Sequence, residues 1–397
     1  MVTSLALIFL VGLSLAAICQ RLRLPRIIGM LFTGILLGPY VLDALDPSIL
    51  SISSELRQMA LIIILLKAGL SLNLADLKKV GRPAILMACV PATFELLGYV
   101  LVAPMLLDIN RIEAAVMGAV LSAVSPAIVV PRMVHLMDTH YGTKKSIPQM
   151  ILAGASCDDI YVVVLFSTFV SMAQGGSANL RDFANIPISI VLGIVLGAIF
   201  GFLLSIFFEY EHTHHQTIRN SMKVILVLGF SFLLISIETW AKPYVSISGL
   251  LAVVSMACVI KFRCPSFVSK RLSEKFGKLW LAAEVLLFVL VGAAVDIRYT
   301  FQAGLPALLM ILIALLFRSI GVLLCMIKTP LNRKERLFCV FAYLPKATVQ
   351  AAIGSVPFAL GLSCGQIVLS VAVLAILITA PLGAFAIDLS YGKLLEQ

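Results

Sequence analysis

Thirteen predominantly apolar stretches follow one another along this chain, and their succession constrains the fold more than any single motif. They run at about 3–20, 26–44, 56–75, 83–106, 113–139, 146–172, 186–208, 218–239, 245–262, 277–295, 303–327, 334–358 and 366–388. Each is close to the roughly 20 residues that an α-helix needs to cross a bilayer core. Hydrophobic residues fill 61% of the 397 positions and charged residues only 13%, whereas a soluble domain carries about a quarter charged. Lipid is therefore the expected solvent. The fold class that follows is an all-α polytopic membrane protein with about 13 transmembrane helices. No long hydrophilic segment interrupts the series, so a single membrane domain without a soluble regulatory tail is expected.

A net charge of +10 would suit nucleic acid if it were gathered on one face, but the basic residues punctuate the apolar stretches instead. They mark loops. One alternate set of loops, with the C-terminus, holds 22 of the 30 Lys and Arg, among them Arg21, Arg23, Arg26, Lys78, Lys79, Lys144, Lys145 and Lys270. The other set holds five: Arg57, Arg111, Arg181, Lys242 and Arg298. The positive-inside rule puts the richer set in the cytoplasm, with the N-terminus outside and the C-terminus inside an inner membrane. The first stretch has its arginines behind it rather than in front, so it reads as a membrane helix and not as a cleaved signal peptide. The eight cysteines show no CxxC pair and no Cys/His ligand spacing. Neither a zinc site nor a disulfide framework is expected from them, and no cofactor.

An internal repeat is legible. The third stretch ends Gly69-Leu-Ser-Leu-Asn73-Leu and the tenth ends Gly292-Ala-Ala-Val-Asp296-Ile, an offset of 223 residues. The same offset carries Glu95 onto Arg318, each a lone charge in its stretch. An odd number of helices separates the copies, so they would be inverted in topology, as in secondary transporters whose sites lie where the copies meet. The domains expected are a first repeat over 1–172, a linker helix over 173–217 and a second repeat over 218–397.

Chemistry concentrates near the middle of five stretches. Glu95 lies in the fourth, Ser122-Ala-Val-Ser125-Pro126-Ala-Ile-Val-Val-Pro131 in the fifth and Ser156-Cys157-Asp158-Asp159 in the sixth. Arg318 lies in the eleventh and Leu344-Pro345-Lys346-Ala-Thr348-Val-Gln350 in the twelfth. Pro126 and Pro345 remove backbone donors, and in lipid the freed carbonyls need protein or water partners. Two repeat-equivalent stretches with such a break imply a pair of broken, crossing helices whose half-helix ends bring partial charges to one spot. Adjacent Asp158 and Asp159 point about 100° apart on a helix, so one can coordinate a cation while the other pairs with a buried base. Asp159 with Ser125, Thr348 or water would supply oxygen ligands to a hard monovalent cation. Lys67, Arg318 and Lys346 stand near mid-membrane, where a cation is expensive and functional by default. Glu95 and Arg318 are expected to form a buried ion pair, and exchanging their charges should then recover part of what a single mutation loses.

Ser125-Pro126-Ala-Ile-Val-Val-Pro131, Cys157-Asp158-Asp159, Pro345-Lys346-Ala-Thr-Val-Gln-Ala and Leu66-Lys67-Ala-Gly69-Leu-Ser-Leu resemble the monovalent cation/proton antiporter superfamily, particularly bacterial NHA-type sodium/proton antiporters. The likeness runs over essentially the whole chain. It implies an NhaA-like fold of two six-helix inverted repeats and a homodimer. An ion-transporting core from 83–172 plus 303–389 would move past a dimerisation domain in an elevator-type motion. It implies Asp159 as the main ion and proton carrier with Asp158 as its neighbour. Arg318 stands where many electrogenic members have Lys, while the aspartate pair is of the electrogenic type, a mixture that does not fix the stoichiometry.

The activity expected is exchange of protons for Na+ or Li+, with proton and cation competing for one carboxylate. Lys346, Arg318 and Glu95 would compensate charge. A K+/H+ antiporter and a sodium-coupled organic-anion symporter of related fold are the alternatives, and the Asp-Asp pair with Arg318 and Lys346 argues against the symporter. A potassium channel would need a TVGYG-like filter. An enzyme reading, intramembrane aspartyl protease, fails because its two carboxylates must share a proton across a gap. Glu209, Glu211, His212, His214 and His215 read as a solvated loop in which histidines could sense pH. Lys67 would snorkel or pair within the scaffold, and Glu284 would line a cavity or interface.

Overall fold

The computed structural model describes residues 1–22, 24–71, 81–174, 180–213, 219–241, 245 and 247–396. Within them, 71, 156, 180–187, 210–213, 220, 266 and 297–303 are described by their backbone alone. Among the described residues, nine helical spans are long and apolar enough to cross a membrane, and Arg26–Leu37 is a shorter apolar helix. Contacts divide the chain into two compact units, Met1–Arg57 with Asn73–Val162 and Val285–Gln397, and Gln58–Leu72 with Val163–Glu284.

The first unit opens with α1 (Val2–Arg21) and α2 (Arg26–Leu37), which pack against each other. Helix α2 stops at Leu37, short of the expected 44, because Gly38 precedes Pro39 and a residue before proline is pushed out of the helical region. A short α3 (Pro47–Ser51) follows, capped by the Asp46 carboxylate, and then α4 (Ser53–Ser71), which continues into the second unit. Helix α5 (Arg82–Leu107) carries Glu95.

The expected fifth stretch is two half-helices, α6 (Arg111–Leu121) and α7 (Pro126–Asp138), separated by non-helical residues 122–125. Helix α8 (Ile147–Gln174) carries both aspartates in its first-unit part. The second unit holds α9 (Leu180–Thr213), α10 (Asn220–Ala241), α11 (Gly249–Arg263) and most of α12 (Ser266–Ala293). Gly193, Gly197 and Gly201 lie four residues apart on α9, and a Cβ at each would strike the α11 backbone at Ser248, Ala252 or Met256. This is the small-residue stripe by which helices approach closely in lipid.

From Val285 onward the chain belongs to the first unit again, and α13 (Ile297–Cys325) lies along α5. The expected twelfth stretch is broken like the fifth, into α14 (Arg333–Ala342) and α15 (Thr348–Gly354), with 343–347 unwound between them. A single turn α16 (Val356–Ala359) and the long α17 (Gly365–Leu394) complete the chain. Side chains from these elements, including Met87, Met133, Ile151, Phe338, Tyr343 and Leu395, close into one buried cluster. Two recessed polar breaks are therefore held inside an apolar wall.

Candidate functional site

Both half-helix pairs begin in the same way. Asn110 caps α6 by accepting from the Glu113 amide while Glu113 accepts from the Asn110 amide, and Asn332 and Glu335 repeat that box on α14. Outside the apolar region, Lys145 bonds both Glu335 oxygens at 2.8 and 2.9 Å. That hydrogen bond holds the Lys145 ammonium above its ordinary lysine value.

At the breaks, backbone groups released from the helical ladder find side-chain partners. The Leu121 carbonyl accepts from Lys346 Nζ at 2.5 Å, the Ser122 carbonyl from Arg318, and the Ala123 carbonyl from Gln350 Nε2 at 2.8 Å. The Val124 amide donates to Asp158 Oδ2 at 2.7 Å, and the Ser125 amide donates to the Pro345 carbonyl at 2.8 Å, joining one break to the other. On the second break, Arg318 Nε donates to the Tyr343 carbonyl, Lys346 N to Thr379 Oγ1 at 3.0 Å, and Ala347 N to Gln350 Oε1 at 2.8 Å. The electrostatic sense is that of helix dipoles. Cations meet the carbonyl end of α6, and a carboxylate meets the amide of Val124 just ahead of α7. Pro126 occupies the first turn of α7, where its missing N–H leaves nothing unsatisfied. The stretch is broken as expected, with the first half-helix ending at Leu121 and Pro126 starting the next one.

Arg318 and Glu95 are both fully buried and 2.8 Å apart, as their matched positions suggested. Lys346, also fully buried, donates to the same Glu95 Oε2 at 2.8 Å and lies 2.6 Å from Oε1, so one carboxylate faces two cations. Sequence reasoning had offered Lys346 or Arg318 to Asp158; the structure gives Asp158 only Arg318, at 3.4 Å, together with the Val124 amide. A charge exchange between 95 and 318 would thus set a cation at 95 against Lys346, and the expected recovery is withdrawn.

Asp159 stands differently. Its Oδ1 has no hydrogen-bond partner among the described residues, and neither have the buried hydroxyls of Ser125 and Thr348. No hydrogen bond joins these three to each other, yet all belong to the same unit and present oxygens with spare lone pairs. Asp159 is 7% exposed, whereas Glu95, Asp158, Arg318 and Lys346 are each at 0%. Three carboxylates face two cations here, leaving one negative charge uncompensated when all are ionised.

Gln350, Tyr343 and Thr379 were not singled out as site residues by the sequence, although Gln350 lay within a quoted motif. Lys67 belongs to the second unit, 6.0 Å over the Trp280 ring and within the field of Glu284. Asn73 of the repeat pattern, Lys78, Lys79, Arg23, Lys242, His214 and His215 lie outside the described residues, as do the side chains of Ser156 and His212.

Comparison with known proteins places this arrangement. The chain is similar to sodium/hydrogen exchanger 9B2 of Homo sapiens, 34% identical over 387 residues that cover 94% of this chain and 70% of the relative. Sodium/hydrogen exchanger 9B1 of Homo sapiens is 30% identical over 396 residues, covering 94% of this chain and 73% of that protein. The fold is similar to that of the sodium proton antiporter MjNhaP1 from Methanocaldococcus jannaschii, with a TM-score of 0.83 at 22% identity over 100% of this chain and 99% of that one. Residues 5–388 match the family described as sodium/hydrogen exchanger, transmembrane. The chain is therefore a multi-pass membrane protein, a transporter and not an enzyme, and it belongs to the sodium/hydrogen exchanger family.

Proposed function

We propose that this protein exchanges protons for Na+ or Li+ across the membrane, with Asp159 as the shared carrier. The observation that carries the reading is the charge inventory around the two breaks: Glu95, Asp158 and Asp159 against Arg318 and Lys346. Moving an uncompensated charge through a low-dielectric interior is expensive. With Asp159 protonated, or with one monovalent cation bound to it, the site is neutral and can cross. Empty, it carries one negative charge and is held back. Coupling then needs no separate gate, because only a loaded carrier returns, and the exchange is one for one. Arg318 and Lys346 serve as fixed counter-charges to Glu95 and to the breaks rather than as exchanging groups, which their saturated contacts support.

In this reading the cation takes its oxygens from Asp159, Ser125, Thr348 and Asp158, each with an oxygen that has no hydrogen-bond partner among the described residues. Hard monovalent cations are held by such oxygen sets. The remaining features of the proposal rest on the family resemblance and on loop charge. They are thirteen crossings in two inverted six-helix copies, the domains 1–172, 173–217 and 218–397, and an elevator-type core of 83–172 plus 303–389. A homodimer in an inner membrane, with the N-terminus outside and the C-terminus in the cytoplasm, completes them. The inverted copies gain support from the matching Asn–Glu capping boxes on α6 and α14.

The test is a sealed proteoliposome with a pH indicator inside and the membrane potential clamped. Added Na+ or Li+ should drive proton movement against its own gradient. Response to K+ alone would favour the K+/H+ alternative, and a response requiring an organic anion would favour the symporter.

A further inference from the structure

We infer that Gln350 is a positioning residue for cation binding: it fixes the relative register of the two breaks, and so of the hydroxyls of Ser125 and Thr348. This rests on the antiport reading above. Gln350 is fully buried, and its amide makes one bond to each break. Nε2 donates to the Ala123 carbonyl at 2.8 Å, and Oε1 accepts from the Ala347 amide at 2.8 Å. Ala123 stands two residues before Ser125, and Ala347 one residue before Thr348. Between Ala123 and Ser125 lies Val124, whose amide is held by Asp158. The clamp therefore grips the backbone beside the Ser125 and Thr348 hydroxyls, both without a hydrogen-bond partner among the described residues.

Neither gripped group has an alternative of the same kind. Ala123 and Ala347 carry no polar side chain, and Ala347 is held at φ −163° and ψ −79°, outside the regular regions. The breaks are also joined by the Ser125 amide on the Pro345 carbonyl, by Lys346 Nζ on the Leu121 carbonyl and by Arg318 on the Ser122 and Tyr343 carbonyls, but none of these holds the Ala123 carbonyl or the Ala347 amide. Gln350 is neutral and so adds no charge to the inventory. Its loss should change how well oxygens are presented to a cation without changing the charge that demands one. Proton loading needs only the Asp159 oxygen, whereas cation loading needs several oxygens in register. The two should separate.

The experiment measures Na+-driven proton flux in proteoliposomes for wild type, Gln350→Met and Gln350→Asn. Monodispersity and melting temperature are recorded for each. Methionine keeps the length and removes both bonds; asparagine keeps the amide but is one methylene too short to reach both breaks. For Gln350→Met we expect an apparent KM for Na+ raised about tenfold, the scale of one buried neutral hydrogen bond. Its maximal rate should stay within about threefold of wild type, and its pH dependence at saturating Na+ should be unchanged. Gln350→Asn should show a smaller rise in the same direction, and it carries the test if the methionine variant does not fold. An unchanged KM in a folded variant, or a loss confined to maximal rate, overturns the inference while leaving antiport intact. A wild-type protein without Na+-driven flux overturns the functional reading itself.

Discussion

Glu95 and Asp159 are both carboxylates in the membrane interior of the same unit, and their surroundings are opposite. Glu95 accepts from Arg318 and Lys346 and is fully buried. Asp159 has an oxygen without a hydrogen-bond partner and, among the described residues, no ion pair with either cation. The contrast separates two uses of an intramembrane charge. A carboxylate paired with two buried cations braces structure, because removing it strands the cations around it. An unpaired one exchanges ligands, because its compensation must come from solution. The sequence alone presents both only as rare charges in apolar stretches.

The largest effect should follow from breaking the paired side. Glu95→Gln leaves Arg318 and Lys346 without their shared anion, and loss of one partner of a buried pair costs about 3–5 kcal/mol. A melting experiment in detergent should show it as a large fall in stability. Exchanging charges, Glu95→Arg with Arg318→Glu, should not recover the loss, since Lys346 would then face a cation at 95. Recovery to near wild type would show that Lys346 does not bind Glu95.

The fold was legible to the extent that helix breaks follow from local chemistry. Proline at 126 and 345, together with lone charges in flanking stretches, pointed to the two unwound segments and to the Glu95–Arg318 pair. What could not be read was the reach of Lys346. Its partner is 251 residues away in sequence, and the unwound backbone at 343–347 aims its side chain at Glu95 rather than Asp158. Gln350 escaped notice for the same reason: both of its partners are backbone atoms, which leave no trace in side-chain identity. The early stop of α2 was available in Gly38 before Pro39, and hydropathy alone ran past it.

Smaller effects sharpen the comparison. Asp158 stands between the two extremes, with one oxygen engaged and the other free. Asp158→Asn keeps an acceptor for the Val124 amide but leaves Glu95 and Asp159 against Arg318 and Lys346, neutral when empty, so the apparent Na+ affinity should fall about tenfold and proton and cation movement should be decoupled while turnover persists. Flux titrations with Na+ check this; complete loss of transport would put Asp158 among the carriers. Lys145 supports Glu335 at the mouth of α14, with its ammonium held above the ordinary lysine value. Its contribution to stability should be full at neutral pH and disappear only as pH rises beyond the ordinary lysine range, near 10.4. Lys145→Met should therefore lower the melting temperature at pH 7 and converge on wild type in strong alkali. The exposed Arg132–Asp388 pair, 2.9 Å apart, should matter least: Arg132→Ala is expected to cost at most about 1 kcal/mol and to leave flux unchanged.

The most direct measurement compares Asp159→Asn with wild type in proteoliposomes, following Na+-driven proton flux at several pH values with the membrane potential clamped. Asparagine keeps an oxygen ligand and removes the titratable charge, so the inventory at Glu95, Asp158, Arg318 and Lys346 is already neutral without a proton or a cation. The account predicts a folded protein, melting near wild type, with no coupled exchange at any pH. Wild-type antiport by Asp159→Asn would contradict it, because the exchange would then be running on a charge that the variant does not have.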